Sequence, residues 1–271
     1  MSDIVLTAGV RSNLLQLQNT SDLMTQTQNR LATGKKVNSA LDNPINYFTA
    51  QSLTNRSNSL SSLLDSMSNA TSTIQAANNG ITSITKLVQS AQALVSQAQQ
   101  TADTNVRATL ATQFTNLLSQ IDGLAGDAGF NGINLLRGDD LTVTLNENNT
   151  SSVTVSGVND TVAGDLSIGN ATNNWAAASD LTAASSDLTA ALTTLQSQAQ
   201  SFGSNLSTVQ IRQDFTKTMI NTLQTGSDNL TLADTNEEGA NMLALQTRQQ
   251  LSTTALSLAA QAAQSVLRLF Q

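Results

Sequence analysis

The sequence predicts a mainly α-helical protein: an elongated antiparallel helical bundle of coiled-coil character, with a small β-hairpin region and paired terminal helices. Three patterns carry this reading. Leu53, Leu60, Met67, Ile74, Ile81, Val88 and Val95 stand seven apart with no polar member. Three residues on from each runs a second column, Arg56, Leu63, Ala70, Ala77, Ile84, Ala91 and Ala98, polar only at its first position. A seven-residue repeat held this long is a helix with a seam that faces another helix, and it would span roughly 70 Å. The same spacing returns at Leu181, Leu188, Leu195, Phe202, Val209, Thr216, Leu223 and Leu230. Between the two, the period falls to two: Leu141, Val143 and Leu145 alternate with polar residues, as do Val153 and Val155, the pattern of a hairpin.

The elements follow in order. Leu14, Leu17, Met24 and Leu31 share a face of a first helix, with Ser21 and Gln28 as polar members of the stripe. Gly34 stops that helix, because glycine tolerates the left-handed conformation past a helix end. Asn43 is a good N-cap and Pro44, the single proline, suits the first helical position. The first rod runs from there to about Gln100, with Gly80 as its weakest point. A shorter helix on Leu110, Phe114, Leu117, Ile121 and Leu124 folds back on it, and Gly123, Gly126 and Gly129 end it. The second rod runs from about Ser179 to Leu223 and frays at Gly226, Ser227 and Asp228. Asp234 caps a last helix whose stripe is Leu251, Ala255, Leu258, Ala262, Val266 and Leu269. The expected division is 1–43, terminal helix and loop; 44–139, first rod and return helix; 140–178, hairpin insertion; 179–230, second rod; 231–271, last helix.

Composition removes several classes of function. Charged residues make up 11%, where about a quarter is usual. Ser, Thr, Asn, Gln and Ala take their places, which suggests a surface that touches other protein. The net charge is −7 and no basic cluster exceeds Lys35–Lys36, so nucleic acid is not an expected partner. With no Cys and no His, histidine-paired nucleophiles and the common zinc sites are absent. Asp122, Asp127, Asp139 and Asp140 lie near glycines, but their spacing matches no calcium loop and solvated turns explain them better. No catalysis and no cofactor are expected. The start MSDIVLTAGVR lacks the basic and apolar regions of a signal peptide, and no run reaches the ~18 apolar residues of a membrane span. The terminal helices bury little as a pair, and a pair of this size is marginal alone. Other copies of the chain would supply the missing surface, which is a physical argument for polymerisation.

At this point the residues resemble the bacterial flagellins over nearly the whole chain. The segment NRLATGKKVNSA at 29–40 is similar to that family's link between first helix and rod. FNGINLL at 130–136 is similar to its turn after the return helix. ADTNEE at 233–238 and the stripe at 251–269 are similar to its C-terminal segment. The Asn43-Pro44 pair and the MSDI start resemble the alphaproteobacterial branch. The resemblance implies a filament subunit whose terminal helices form an inner core and whose rods (seam Leu53, Leu60, Leu63, Met67, Ile74, Ile81, Ile84, Val88, Val95, Leu181, Leu188, Leu195, Phe202, Val209, Leu223) form an outer wall. It implies export through the flagellar type III apparatus to an extracellular filament. The implied partners are the chain itself, hook-associated proteins, a filament cap and an export chaperone. The large surface domains common in the family are reduced here to the hairpin. Flagellins seen by the vertebrate innate receptor carry a cluster of the form QRVRELA on the first rod. Ungapped heptad alignment puts its charged positions on Ser90, Gln92 and Ala93, all uncharged here, so escape from that receptor is expected; the plainer alternative is ordinary outward-facing residues. The rival functional reading is a hook–filament junction protein, which shares the terminal helices but stacks only briefly. A chemoreceptor-like rod would need a membrane span or sensor, and a coiled-coil adhesin is the remaining option.

Overall fold

The computed structural model describes residues 8–269, without the side chains of 263 and 266–269. Among the described residues there are five α-helices, α1 (Ala8–Thr33), α2 (Pro44–Gln99), α3 (Thr104–Asp127), α4 (Ala178–Thr231) and α5 (Thr235–Leu269), and two strands, β1 (Leu141–Thr144) and β2 (Ser152–Val155). Contacts divide the chain into two compact units. The rod unit holds residues 56–221; the terminal unit takes the chain up to Asn55 and from Thr222 on.

In the rod unit the seven-residue columns do what their spacing demands. Leu60, Met67, Ile74, Ile81, Val88 and Val95 of α2 are buried, as are Ala70, Ala77, Ile84, Ala91 and Ala98, while Leu63 is half-buried. Leu181, Leu188, Leu195, Phe202 and Val209 of α4 join the same core. The two helices run antiparallel: Gln213 Nε2 donates to Thr71 Oγ1 at 3.4 Å, and Leu192–Ala199 border the groove lined by Ile81–Gln89. The single polar member of the second column, Arg56, pairs with Glu147 in the hairpin turn. Its exposed guanidinium leaves the seam and ties down the insertion instead.

α3 folds back antiparallel on α2. Asp103 caps it by accepting from the Asn105 amide at 2.8 Å, and Arg107 Nε donates to the carbonyl of Ala98 at 3.2 Å. Its buried face is Leu110, Ala111, Phe114, Leu118, Ile121 and Ala125. Leu110, Phe114 and Ile121 of the expected stripe are buried, while Leu117 and Leu124 are only half-buried and Leu118 and Ala125 take the inner places. Gly123 and Gly126 do not end α3, which continues to Asp127. A glycine costs a helix interior about 1 kcal/mol, and tertiary packing overrides that. Gly226, Ser227 and Asp228 likewise stay helical in α4. At Gly80 the helix is intact, and the reason for glycine is space: a Cβ there would meet Leu136 Cδ1 at 2.6 Å and Ala128 Cβ at 2.8 Å. The chain past α3 docks at this point.

β1 and β2 pair antiparallel, with Leu141 opposite Val155 and Val143 opposite Val153. Leu141, Val143, Leu145 and Val155 point into the core. Ahead of α4 the backbone makes a left-handed turn, with φ of 49° at Asn173, 50° at Asn174 and 59° at Trp175. L-residues visit this region reluctantly. Here it drives Trp175 into the core, 4.9 Å from Phe114 between ring centroids.

In the terminal unit α1 ends at Gly34, whose φ is +68°. The Ser39 and Asn38 amides donate to the Asp42 carboxylate and hold it below the usual carboxylate range. Asn43 Oδ1 then accepts from the Asn46 amide at 3.0 Å and starts α2. Asp234 Oδ1 caps α5 through the Asn236 amide at 2.9 Å. α1 and α5 pack together, and an antiparallel bridge between Lys35 and Leu232 sets their opposed directions. Leu53 is half-buried and Leu223 buried within this unit.

Candidate assembly surfaces

The α1–α5 pair mixes apolar and polar residues on its inner face. On α1 the inward columns are Val10, Leu17, Met24 and Leu31, and Asn13, Thr20 and Thr27. Thr20 and Thr27 are the buried members, at 3% and 6% exposure. The Thr20 hydroxyl donates to the Gln16 carbonyl of its own helix at 2.8 Å, which satisfies it without a partner across the interface. On α5 the inward columns are Glu238, Leu245, Ser252 and Ala259, and Met242, Gln249 and Leu256. Arg30 Nη1 reaches Glu238 Oε1 at 2.9 Å across the pair. Backbone bonds lock the same end: the Lys36 amide to the Thr231 carbonyl at 2.7 Å, and the Ala233 amide to the Gly34 carbonyl at 3.0 Å.

The expected terminal stripe therefore divides. Leu17, Met24 and Leu31 face α5, but Ser21 and Gln28 are exposed, and Leu14 is 40% exposed. Thr20 and Thr27 hold the places those polar residues were expected to hold. On α5, Leu251 and Leu258 are 65% and 61% exposed, and Ala255 and Ala262 are exposed too. On α5 the described members of the stripe read from the sequence lie on the outer face of the pair. Leu243 extends it, with Leu15 and Leu23 as its counterparts on α1. Val266 and Leu269 lie outside the described side chains.

Other exposed apolar residues were missed by a reading that looked only for periodic seams. Leu41, just ahead of α2, and Ile45 and Phe48 in its first turns are exposed. In the rod unit Ile211 and Phe215 stand a helical turn apart on α4, off the seam. An apolar residue at an off-seam heptad position was the available signal. Ser90 and Ala93 are exposed on α2 and Gln92 is half-buried. Three of the four aspartates near the glycines act as loop staples: Asp122 Oδ1 accepts from the Val162 amide at 2.7 Å, Asp139 Oδ2 from the Asn134 amide at 2.8 Å and Asp140 Oδ1 from the Gly157 amide at 2.9 Å. Among the described residues no group of three or more His, Cys, Asp or Glu could hold a metal ion. No helix among them is long and apolar enough to cross a membrane.

Large apolar side chains turned outward on a charge-poor helical chain define a class: a structural subunit whose surface is completed by other copies of itself. The comparisons with known proteins name it. Residues 7–140 match the model of the bacterial flagellin N-terminal helical region, and residues 178–270 that of the C-terminal helical region. The chain is 32% identical to flagellin FljK and 30% identical to flagellin FljM of Caulobacter vibrioides, over all of this chain and 99% of each relative. It is 26% identical to a Brucella melitensis flagellin over the full length of both. A Bacillus cereus flagellin crystal structure aligns with 55% of this chain and 86% of its own, at 22% identity and a TM-score of 0.48. The chain belongs to the flagellin family, and its function is that of a structural subunit polymerising into the bacterial flagellar filament.

Proposed function

We propose that the outer faces of α1 and α5 are the inter-subunit stripe of the filament's inner core. The observation that supports this is the placement of Leu251 and Leu258, exposed on α5 while Glu238, Gln249 and Ser252 of the same helix face α1. A helix that spends inward places on Glu238, Gln249 and Ser252 while leaving Leu251 and Leu258 exposed has a second apolar face suited to a further partner. The hook-associated proteins and the filament cap dock on the same terminal helices at the two ends of the polymer. Before assembly an export chaperone shields the exposed leucines on the way to the flagellar export apparatus, and the subunit ends outside the cell.

Negative-stain electron microscopy of Leu258→Asp, with a polymerising salt, tests the stripe. The exposed position leaves the monomer's helical content unchanged, while the buried charge blocks assembly. Long filaments of normal appearance from this variant would refute the assignment.

On the first rod, the uncharged Ser90, Gln92 and Ala93 leave the vertebrate innate receptor without the charged cluster it reads in other flagellins. Exposure of Ser90 and Ala93 supports this, since no charge is hidden there. A reporter-cell assay of the monomer is expected to give weak activation, and activation at full strength overturns the reading.

A further inference from the structure

Asp160 lies in the rod unit, in the loop between β2 and the left-handed turn before α4. It is fully buried, and neither carboxyl oxygen has a hydrogen-bond partner. The Gln198 side chain of α4 acts on it as a hydrogen-bond donor that favours the charged carboxylate, and Gln198 Oε1 is itself buried without a partner. These two neighbouring side chains therefore carry three buried acceptor oxygens without a bonded partner. A buried polar atom without a partner is uncommon in folded proteins and costly.

The backbone holds the carboxyl in place. The Asp160 amide donates to the Leu136 carbonyl at 3.0 Å and the Val158 amide to the Leu135 carbonyl at 2.6 Å. On either side, Asn159 N donates to Asp165 Oδ2 at 2.9 Å and Val162 N to Asp122 Oδ1 at 2.7 Å. Asp160 cannot swing to solvent without breaking this frame. A single proton removes all three orphans. The neutral acid donates its O–H to Gln198 Oε1, and the Gln198 amide N–H returns a bond to the other carboxyl oxygen, the paired geometry of a carboxylic acid and a primary amide.

We propose that Asp160 is a proton-binding site: in mild acid its carboxyl takes up a proton and closes a two-bond pair with Gln198 that latches this loop onto α4.

The surrounding charges agree. Burial raises the Asp160 pKa from the 3.8 of an ordinary aspartate to about 6, outweighing the hydrogen bond from Gln198 that lowers it, and the Asp165 charge adds a lesser push upward. Asp122 on α3 and Asp187 on α4 are turned to loop amides, Val162 and Gly169, and Asp140 to Gly157. Arg137 reaches the Asp122 carbonyl at 3.4 Å and is not among the groups that act on Asp160. The folded chain binds this proton more tightly than the unfolded chain does. The latch therefore adds stability as pH falls from neutrality through about 6 toward 3.8 and loses it as pH rises, the reverse of ordinary acid denaturation.

Thermal unfolding of the full-length monomer, followed by circular dichroism at about pH 7 and about pH 5, tests the site on wild type and Asp160→Asn. The wild-type midpoint, relative to the variant's, is expected to rise by several degrees in acid. The variant, neutral at both pH values, is expected to unfold at a higher temperature than wild type at pH 7. A variant midpoint below wild type at pH 7, or a wild-type-minus-variant difference that does not change with pH, would overturn the proposal. A site-resolved carboxyl titration of wild type by NMR stands independent of how the variant folds. A midpoint near 6 supports the latch, and one in the ordinary aspartate range refutes it.

Discussion

In the rod unit the seven-residue columns turn Met67, Ile74, Ile84, Leu188 and Phe202 inward. In the α1–α5 pair the inward columns hold Asn13, Thr20, Thr27, Gln249 and Ser252, and Leu15, Leu251 and Leu258 face out. The spacing is the same, but in the pair about half of the inward places, Val10, Leu17, Met24, Leu31, Met242, Leu245 and Leu256 apart, go to polar or small residues. Buried apolar area is what holds a helix pair together in water, so the rod unit is assembled for self-sufficiency. The terminal pair keeps little for itself. One carboxylate–guanidinium pair, a few backbone bonds and the alkyl parts of Leu17, Met24, Leu245 and Leu256 hold it. Much of its apolar surface, Leu15, Leu243, Leu251 and Leu258 among it, stays exposed, which is the surface proposed above to meet other copies.

Four substitutions probe that contrast. Ile84→Ala empties a fully buried rod position and should cost about 2–5 kcal/mol in denaturant unfolding of the monomer. A loss below about half a kcal/mol would mean the seam carries little, since that is the range of surface substitutions. In the terminal pair, Glu238→Ala removes the acceptor of Arg30 and should cost about 1–2 kcal/mol. Faster amide hydrogen exchange confined to α1 and α5 is its expected signature. Gly80→Ala sets the crowding against Leu136 and Ala128 against about 1 kcal/mol of helix propensity gained. The expected balance is a loss of about 1 kcal/mol in the rod unit, and a more stable variant would show that the docked segment gives way easily. The smallest effect belongs to Leu251→Ala. As an exposed residue it should leave monomer stability within about 0.5 kcal/mol while raising the protein concentration needed for filaments to form.

Much of this was readable in the residues. The rods announced themselves because an unbroken seven-residue column has few other solutions, and the hairpin because alternation at Leu141, Val143 and Leu145 fits only a strand. Gly34 and Asn43-Pro44 marked their boundaries through backbone chemistry that acts locally. The terminal stripe was read as one face, and the structure divides it between the face that Leu17, Met24 and Leu31 turn to α5 and the exposed face of Leu251 and Leu258. A search for the most apolar stripe finds Leu251 and Leu258, and here that stripe is the outer one. The glycines at 123, 126 and 226 looked like helix stops because their intrinsic cost is visible in sequence and the packing that overcomes it is not. The staple from Asp122 to the Val162 amide leaves no local pattern, since it joins a side chain to a backbone group 40 residues away. Asp160 gave no signal either, as its burial depends on the meeting of three separate segments.

The most direct test of the outer-face assignment uses the absence of cysteine in this chain. A single Leu258→Cys substitution places one thiol on the exposed stripe, and maleimide labelling can be timed in the monomer and in the assembled filament. The account predicts fast labelling of the monomer and strong protection in the filament. Equal labelling rates in the two states would contradict it.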